Sequence, residues 1–423
     1  MSQDRKDFIK QAGAGLLLAG IPQFNYAEDL SIDVDENDFK SLKEDDEKQW
    51  KHIAKKYYPV AKDYINLENG YFGVQAIPVL EAFKKNTEKV NTDLARFARR
   101  EYPALSREVK KTLAAFLEVS DEEVIITRNA TEALNIAIQG YPFQPGDEVI
   151  INQLDYFSMI ETFRMLEKRG KIKIKAFNLP LLPKTEEEIV DAYRNVISDK
   201  TKVILLTHVS NINGLIVPVA KIAAMAKEKG IDIMCDSAHA LGQLPFKLKD
   251  LGADFVGMNL HKWMGNPIGA GVLSVKKERI ASLQPMFGDM TANENSINKL
   301  AHFGTTPLAV IMTIPESLRF QQMIGIENIN ARLRYLTSLW LNEFSNDSKI
   351  ELVTPAQQGL SCAIASFRIK GRKANEIAES IFKTHNILTI GRTLEPDDCV
   401  RVTPHLYTSS DDIRKFIDAL KKI

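Results

Sequence analysis

The chain has 423 residues, of which 44% are hydrophobic and 26% are charged, proportions that are ordinary for a soluble globular protein of about two domains. Its 55 basic residues balance 55 acidic ones, so composition gives no indication of nucleic-acid binding. The three cysteines make neither a disulfide framework nor a CxxC metal spacing. No metal site is therefore predicted, and we expect small buried side chains at Cys235, Cys362 and Cys399.

The first 27 residues differ from the rest of the chain. A polar start, MSQDRKDFIKQ, leads into the apolar run AGAGLLLAGIP, which is too short to span a bilayer. This order predicts an export signal over residues 1–27. It resembles a twin-arginine signal in which Lys6 replaces the second arginine. We expect a periplasmic or exported protein that is free of the membrane after signal removal; a frayed helix on a cytoplasmic enzyme is the alternative.

From about residue 105, short apolar strands alternate with longer helical segments. This alternation predicts an α/β fold with a mostly parallel, buried sheet. Strands are predicted at residues 124–127, 148–152, 171–177, 203–208, 231–235, 255–260 and 271–276, and helices at 158–168, 186–198 and 219–229.

After Pro307 the pattern changes to long helices with a few short strands. Helices are predicted at 308–324, 325–345 and 410–423, and strands at 364–369 and 400–403, which is typical of an α+β domain. We predict a large domain over residues 76–310 and a small C-terminal domain over 311–423. The charge-rich N-terminal segment, residues 28–75, is expected to pack with the small domain.

Two residues in the large domain point to pyridoxal phosphate (PLP). Asp236 follows a predicted strand, where ligands sit in open α/β sheets, and its carboxylate would keep the cofactor's ring nitrogen protonated. Lys262 follows another apolar strand and precedes a glycine-rich turn, so it would carry the cofactor as a Schiff base. The alternatives are a helix cap for Asp236 and a surface position for Lys262.

A third element would bind the phosphate. Asn129 and Glu132 have the spacing of a capping box at the start of a helix. The free amides of Ala130 and Thr131, the Thr131 hydroxyl and the helix dipole would then bind an anion. By itself the pattern predicts only a helix start.

The motifs together resemble class V aminotransferases, which are fold type I PLP-dependent enzymes, and most closely the isopenicillin N epimerase-like branch. The resemblance implies the aspartate aminotransferase-like fold with a seven-stranded sheet in the large domain. The matching segments span nearly the whole chain after the signal: NLENGYFG (66–73), TRNATEALN (127–135), THVSNINGLIVPV (207–219), CDSAHALGQLP (235–245), NLHKWMGNPIGAGVLSV (259–275), FGTTP (303–307) and VRVTPHLYTSSDDI (400–413).

The resemblance also implies roles for further residues. Tyr156 would stack on the cofactor ring, Asn211 and His239 would contact the ring or its phenolic oxygen, and His261 would reach the phosphate. Thr305 would cross to the partner subunit's phosphate, which implies a homodimer with a shared active site. Arg401 would clamp a substrate α-carboxylate, with Asn69 and Tyr71 nearby. The alternatives are core packing for Tyr156, a turn position for Thr305 and a strand-edge salt bridge for Arg401.

The sequence does not fix the reaction, because one fold supports many PLP chemistries. We predict an aminotransferase acting on an amino acid, with an epimerase or racemase as the alternative. A second acid for epimerisation would come from Tyr71, Tyr156, His302 or His405. A cysteine desulfurase or C–S lyase is less favoured, since no cysteine lies on a loop before Arg401, and a non-catalytic PLP-fold protein is the remaining class. The basic run at 96–100 would meet a second carboxylate or form a solvated helix face.

Overall fold

The computed structural model describes residues 34–288, 292–357 and 359–423. The predicted export signal at 1–27 lies outside these residues. Within the described ranges, no helix is long and apolar enough to cross a membrane.

Helices make up most of the layers around the sheets. Several begin at a side-chain cap: the side chains of Asn129, Thr185 and Ser409 each accept a hydrogen bond from a backbone amide in the first turn. The helices are α1 (Glu47–Tyr57), α2 (Ile77–Thr92), α3 (Leu94–Arg100), α4 (Tyr102–Phe116), α5 (Ala130–Gly140), α6 (Phe157–Lys168), α7 (Glu186–Arg194), α8 (Val219–Lys227), α9 (Leu248–Leu251), α10 (Lys277–Ile280), α11 (Leu308–Met312), α12 (Ile314–Ile324), α13 (Ile326–Glu343), α14 (Ala374–His385) and α15 (Ser410–Lys421), with short 3₁₀ turns at Glu36–Phe39, Asp121–Glu123 and Ile297–Leu300.

The nine predicted strands are present within a few residues of their predicted ranges, and four further short strands were not predicted. The strands are β1 (Ile65–Asn66), β2 (Val124–Thr127), β3 (Glu148–Asn152), β4 (Lys173–Phe177), β5 (Thr201–Thr207), β6 (Asp232–Asp236), β7 (Phe255–Asn259), β8 (Gly271–Val275), β9 (Ile350–Leu352), β10 (Ala365–Ile369), β11 (Ile387–Leu388), β12 (Ile390–Arg392) and β13 (Cys399–Val402). The four that were not predicted are β1, β9, β11 and β12.

The large sheet has seven strands in the order β2-β8-β7-β6-β5-β3-β4. Only β8 runs against its neighbours; the other adjacent pairs are parallel. Successive side chains point to opposite faces, so Ile233 and Cys235 join one apolar cluster and Met234 joins another. Both faces are thus buried, which explains why these strands read as continuous apolar runs. The predicted seven-stranded, mostly parallel α/β fold is confirmed.

The sheet topology brings three strand ends to one edge. Strands β6 and β7 are parallel, and β2 runs in the same direction because β8 is antiparallel to both β2 and β7. The carboxyl ends of these strands, at Thr127, Asp236 and Asn259, therefore meet at the edge where open α/β sheets bind ligands.

A four-stranded antiparallel sheet, in the order β12-β13-β10-β9, is the centre of the C-terminal part of the chain. Strand β1 pairs in parallel with β11, and Glu68 bridges to Thr403 just beyond β13. Residues 65–68 thus contact the region 311–423, while the predicted division into domains stays a prediction.

One helix differs from the prediction. The single helix predicted over residues 308–324 is two helices, α11 and α12, separated at Thr313. Pro315 has no amide hydrogen and disfavours helical geometry in the residue before it. The hydroxyl of Thr313 donates to the Ala309 carbonyl and accepts a hydrogen bond from the Asn86 side chain, so the break is also tied to helix α2.

A buried arginine ties helix α1 to the C-terminal helices. The side chain of Arg332 on α13 is fully buried, and it donates to the carboxylate of Glu47 at 2.5 Å and to the carbonyls of Glu44 and Thr408 at 2.9 and 3.1 Å. Burial opposes ionisation of Glu47, but its hydrogen bonds with Arg332 and Ser410 hold its pKa below the usual value. The pair therefore balances a charge that the fold has removed from water.

We expect Glu47→Ala to lower the free energy of unfolding by about 3 kcal/mol, because it leaves the guanidinium of Arg332 buried without its counter-charge. Urea unfolding measures the loss. The matched control is Glu81→Ala, which removes an exposed partner of Lys84 and should cost less than about 1 kcal/mol. Equal losses in the two variants would contradict the assignment.

Candidate active site

Lys262 lies just beyond β7 at the edge where the strand ends meet. The chain turns at Gly265, which has a φ of +65° and whose amide donates to the Lys262 carbonyl at 3.2 Å; a glycine tolerates this left-handed conformation. The Nζ atom lies 2.9 Å from Nε2 of His239. The lysine is thus held in place by a buried imidazole rather than extended into solvent.

The surroundings of Lys262 favour its neutral form. Its pKa is lowered to about 7, mainly by burial and also by the charges of Arg401 and Arg392, while Asp236 and Glu68 act in the opposite direction. A lysine with this pKa is largely unprotonated slightly above neutral pH, which is the state in which an amine is a nucleophile or a base.

Asp236 is the last residue of β6 and is buried. Its Oδ1 atom accepts a hydrogen bond from the Ala238 amide at 3.0 Å. Burial raises its pKa, and this hydrogen bond and the charge of Lys262 only partly offset the effect. A cationic ring nitrogen placed beside this carboxylate would relieve that cost.

A second buried carboxylate, Asp155, was missed in the sequence because nothing in its spacing marks it. It accepts hydrogen bonds from the Asn152 amide at 2.8 Å and from the Thr207 hydroxyl at 2.7 Å. Burial raises its pKa to about 7. These contacts fix the turn that presents the adjacent Tyr156, a half-buried residue at the start of α6 whose pKa is raised by burial and then by Asp236.

The predicted phosphate site is a helix start packed closely on the sheet. The Asn129 side chain accepts from the Glu132 amide at 2.8 Å, and a Cβ added at Gly271 of β8 would lie 2.6 Å from the Asn129 Cα. The Ala130 amide donates to the Asn259 side chain at 2.8 Å. This amide already has a partner within the chain, so its contact with a phosphate stays a prediction, as does that of Thr131.

The two histidines at the site are buried and differ in their partners. Nδ1 of His261 lies 2.8 Å from the Ala270 carbonyl, which can only accept, so Nδ1 carries the hydrogen. Burial lowers the pKa of His261 to about 4. His239 has a pKa far below its usual value because of burial, and then because of Lys262 and Arg401. Both rings are neutral at physiological pH, and their cofactor contacts stay predictions.

The segment 66–73 is fixed against the lysine turn. The Gly73 amide donates to the His261 carbonyl at 3.0 Å, and a Cβ at Gly73 would lie 1.9 Å from the Lys262 carbonyl oxygen, so only glycine fits. Asn69 is fully buried, with its Nδ2 bonded to the Asn66 and Thr403 carbonyls. That geometry gives Asn69 a role in holding the segment, while Tyr71 is 60% exposed; their substrate contacts stay predictions.

Arg401 on β13 forms the salt bridge that was the alternative to a substrate clamp. Its side chain is 1% exposed, and its Nε and Nη2 atoms contact the carboxylate of Glu68, with Nε at 3.3 Å. Its Nη1 atom donates to the Asn211 carbonyl at 2.8 Å. Arg392 also reaches Glu68, at 3.1 Å. Glu68 and Arg392 were missed in the sequence because they meet Arg401 only through the fold.

The remaining predicted residues lie on the surface or in the core. Thr305 is exposed, and its contact with a partner subunit stays a prediction. The basic run at 96–100 lies on α3, where the three arginines are exposed and Arg96 pairs with Asp93, the arrangement of a solvated helix face. All the cysteines are buried as expected, and burial raises their pKa values to about 12, 12 and 11 in Cys235, Cys362 and Cys399.

The residues present at this edge fit pyridoxal phosphate. They supply a primary amine of low pKa in Lys262, a buried carboxylate in Asp236, and a helix start at Asn129 against which Gly271 leaves no room for a side chain. These are the groups that attach to the aldehyde carbon, pair with the ring nitrogen and approach the phosphate of this cofactor.

Known proteins share this architecture. A family model described as Aminotransferase class-V matches residues 78–416. Isopenicillin N epimerase of Streptomyces clavuligerus is 26% identical over 341 residues, which are 77% of this chain and 86% of that protein. A protein of Methanothermobacter thermautotrophicus named probable cysteine desulfurase is 24% identical over 86% of this chain and 96% of its own length.

One solved structure shows the same fold with a cofactor. It is a mutant of the protein C-DES with glycine covalently linked to PLP, and it matches with a TM-score of 0.76 at 18% identity over 89% of this chain and 98% of that one. This similarity is evidence for the fold alone. The family model, which spans most of the chain, shows that the chain belongs to the class V aminotransferase family.

Proposed function

We propose that this protein is a PLP-dependent enzyme that acts on the amino group of a small molecule through Lys262. The observation that carries the proposal is the position of Lys262, whose Nζ lies 2.9 Å from Nε2 of the buried His239 at the sheet edge where β6 ends at the buried Asp236; this environment lowers the pKa of Lys262 to about 7. Lys262 would hold the cofactor covalently, and Asp236 would keep its ring nitrogen protonated. When bound, the cofactor supplies an electron sink for the substrate carbon.

The hydrogen bonds around His239 determine where its proton lies. The indole Nε1 of Trp263 lies 3.3 Å from Nδ1 of His239. An indole N–H can only donate, so Nδ1 must be the unprotonated nitrogen. The neutral ring then carries its hydrogen on Nε2, which points at Nζ of Lys262. Nζ must accept this hydrogen bond, and only the neutral amine has a lone pair to do so.

Among the PLP reactions, we favour transamination. It requires a proton to move between two positions on one side of the substrate, which one base, Lys262, can achieve. Epimerisation requires a second acid on the other side. Of the candidates, His405 is buried between the rings of Trp263 and Tyr407, and burial lowers its pKa to about 4, so it is a poor proton donor.

Two other reactions remain candidates. The similarity to isopenicillin N epimerase favours epimerisation, for which Tyr156 is a candidate second acid, because it is half-buried at the start of α6 and the charge of Asp236 acts on its pKa. The similarity to probable cysteine desulfurases favours sulfur release. A persulfide on this chain is disfavoured because all three cysteines are buried thiols with raised pKa values.

We also propose a homodimer in which Thr305 of one subunit reaches the phosphate of the other. The exposed position of Thr305 is compatible with such a contact.

We further propose export through the segment at 1–27. The polar and apolar order of the first residues supports export, since the twin-arginine route carries folded, cofactor-loaded proteins.

Lys262→Ala is expected to abolish covalent attachment of the cofactor. Borohydride treatment of the wild-type holoenzyme should fix the cofactor to the peptide that contains Lys262, as detected by mass spectrometry. Lys110→Ala is the control, because burial also lowers the pKa of Lys110 but no contact joins it to the site. Attachment that survives in Lys262→Ala would mean that another residue is the nucleophile.

Trp263→Phe is expected to raise the pKa of Lys262 by about 0.7 pH units, which corresponds to the net worth of about one hydrogen bond. Without the indole, His239 can place its hydrogen on Nδ1 and accept from the ammonium form of Lys262. The pH dependence of Lys262 modification by an amine-directed reagent, followed by peptide mass in the apoprotein, measures the shift. Trp340→Phe, in the small-domain core, is the control, and an equal midpoint in all three proteins would refute the tautomer.

Incubating the holoenzyme with a panel of amines and amino acids in heavy water distinguishes the reactions. For a transaminase we expect carbonyl product in proportion to amino acceptor consumed, with no racemisation of the remaining substrate. Deuterium exchange with racemisation and no carbonyl product would establish the epimerase instead. Sulfide released from cysteine would establish the lyase class. Sulfide release should then persist in Cys399→Ala, because the buried thiol of Cys399 is not expected to take part in it.

A further inference from the structure

The guanidinium of Arg401 already binds a carboxylate that belongs to the chain itself. Glu68 meets both Nε and Nη2, and the Asn211 carbonyl takes Nη1. Three of the five N–H groups of the guanidinium are therefore in use, including both that make up the Nε–Nη2 fork. An α-carboxylate needs a two-pronged contact of the same kind, and Glu68 already fills the Nε–Nη2 fork of Arg401, a side chain that is only 1% exposed.

We propose that Glu68 is a specificity-determining residue that closes Arg401 to α-carboxylates, so that the substrate is a primary amine with no carboxylate on the carbon that carries the amino group. This inference rests on the proposed function, because it names the substrate class of the same site. It replaces the expected role of Arg401 as a clamp with a role in holding Glu68.

The backbone around Glu68 is fixed on both sides, which makes the internal carboxylate a strong competitor. The Thr403 amide donates to the Leu67 carbonyl at 2.7 Å, and the Gly70 amide donates to the Thr403 hydroxyl at 2.9 Å. A Cβ at Gly70 would lie 3.3 Å from Cζ of Arg401, so the segment is packed directly on the guanidinium. A carboxylate tethered at this position has a high effective concentration that a dissolved substrate must overcome.

Removing Glu68 from Arg401 would also have an electrostatic cost. The charge of Arg401 is buried and must be paired in every state of the site. Arg392 shares Glu68 with Arg401 and is more exposed, with 27% of its side chain accessible. The cluster therefore carries one surplus positive charge, located on Arg392 rather than on Arg401.

The first test uses the wild-type holoenzyme and two amines that differ in a single group. In butan-2-amine a methyl group replaces the carboxylate of 2-aminobutyrate. Titration of the cofactor absorbance should give a Kd for butan-2-amine at least about tenfold lower, the magnitude expected for one charged hydrogen-bonded contact that must be displaced. Equal or tighter binding of 2-aminobutyrate would overturn the proposal.

The second test is Glu68→Gln, which keeps an acceptor for Arg401 but removes the negative charge. We expect it to shift the ratio of the two Kd values by about tenfold toward 2-aminobutyrate. Glu351→Gln is the matched control, because Glu351 pairs with Arg368 on the small sheet and its variant should keep the wild-type ratio. An unchanged ratio in Glu68→Gln would refute the role of Glu68.

Calorimetric titration with propionate separates failure of this inference from failure of the proposed function, since it requires no covalent chemistry at Lys262. Saturable binding of propionate by Glu68→Gln, but not by the wild type, supports a closed Arg401. Binding of propionate by the wild type with a similar Kd overturns it, whatever the cofactor result. Borohydride attachment at Lys262 reports independently on the proposed function.

Discussion

Withdrawal of a lysine amine from water, next to two arginines, is the constraint on which the site depends. Burial lowers the pKa of Lys262 to about 7, and the surrounding elements exist to sustain that burial. Strand β7 brings the chain to the edge, Gly265 turns it back, and Gly73 brings a second segment against the Lys262 carbonyl. Each contact keeps solvent away from the amine. Interactions with neighbouring charges shift the pKa of an amine strongly only where solvent is excluded.

The two parts of the chain meet at this lysine because of the segment 66–73. Its first residues pair with β11 and with Thr403 beyond β13, and its last residue bonds to the carbonyl of His261. A short stretch of backbone therefore connects the small sheet to the turn that holds Lys262. This explains why Asn69, which a polar motif would suggest for substrate binding, is buried with its amide engaged by backbone carbonyls.

Local patterns predicted the parts of the structure that local physics determines. Apolar runs marked the inner strands of the large sheet because both of their faces are covered, and Asn129 marked the start of α5 through its cap. The position of Asp236 at a strand end and of Lys262 after the next strand was enough to predict the cofactor. The break between α11 and α12 was also readable in principle, since Pro315 is visible in the sequence, but the long apolar run obscured it.

The contacts that long-range packing creates could not be read from the sequence. Glu68 and Arg401 lie 333 residues apart, and no spacing indicates that one would neutralise the other. The tautomer of His239 depends on an indole 24 residues away, and the buried Asp155 looks like an ordinary loop aspartate. Such residues acquire their role only when the fold removes water from around them.

The charges around Lys262 also couple substrate recognition to catalysis. Arg401 and Arg392 lower its pKa, whereas Glu68 and Asp236 raise it, so any charge that enters the cluster changes the amine. A substrate without an α-carboxylate leaves this balance as it is. An α-carboxylate that entered without displacing Glu68 would add a negative charge, raise the pKa of Lys262 and reduce the fraction of neutral amine at a given pH. The ion pair between Glu68 and Arg401 thus keeps constant the protonation state on which the lysine's chemistry relies.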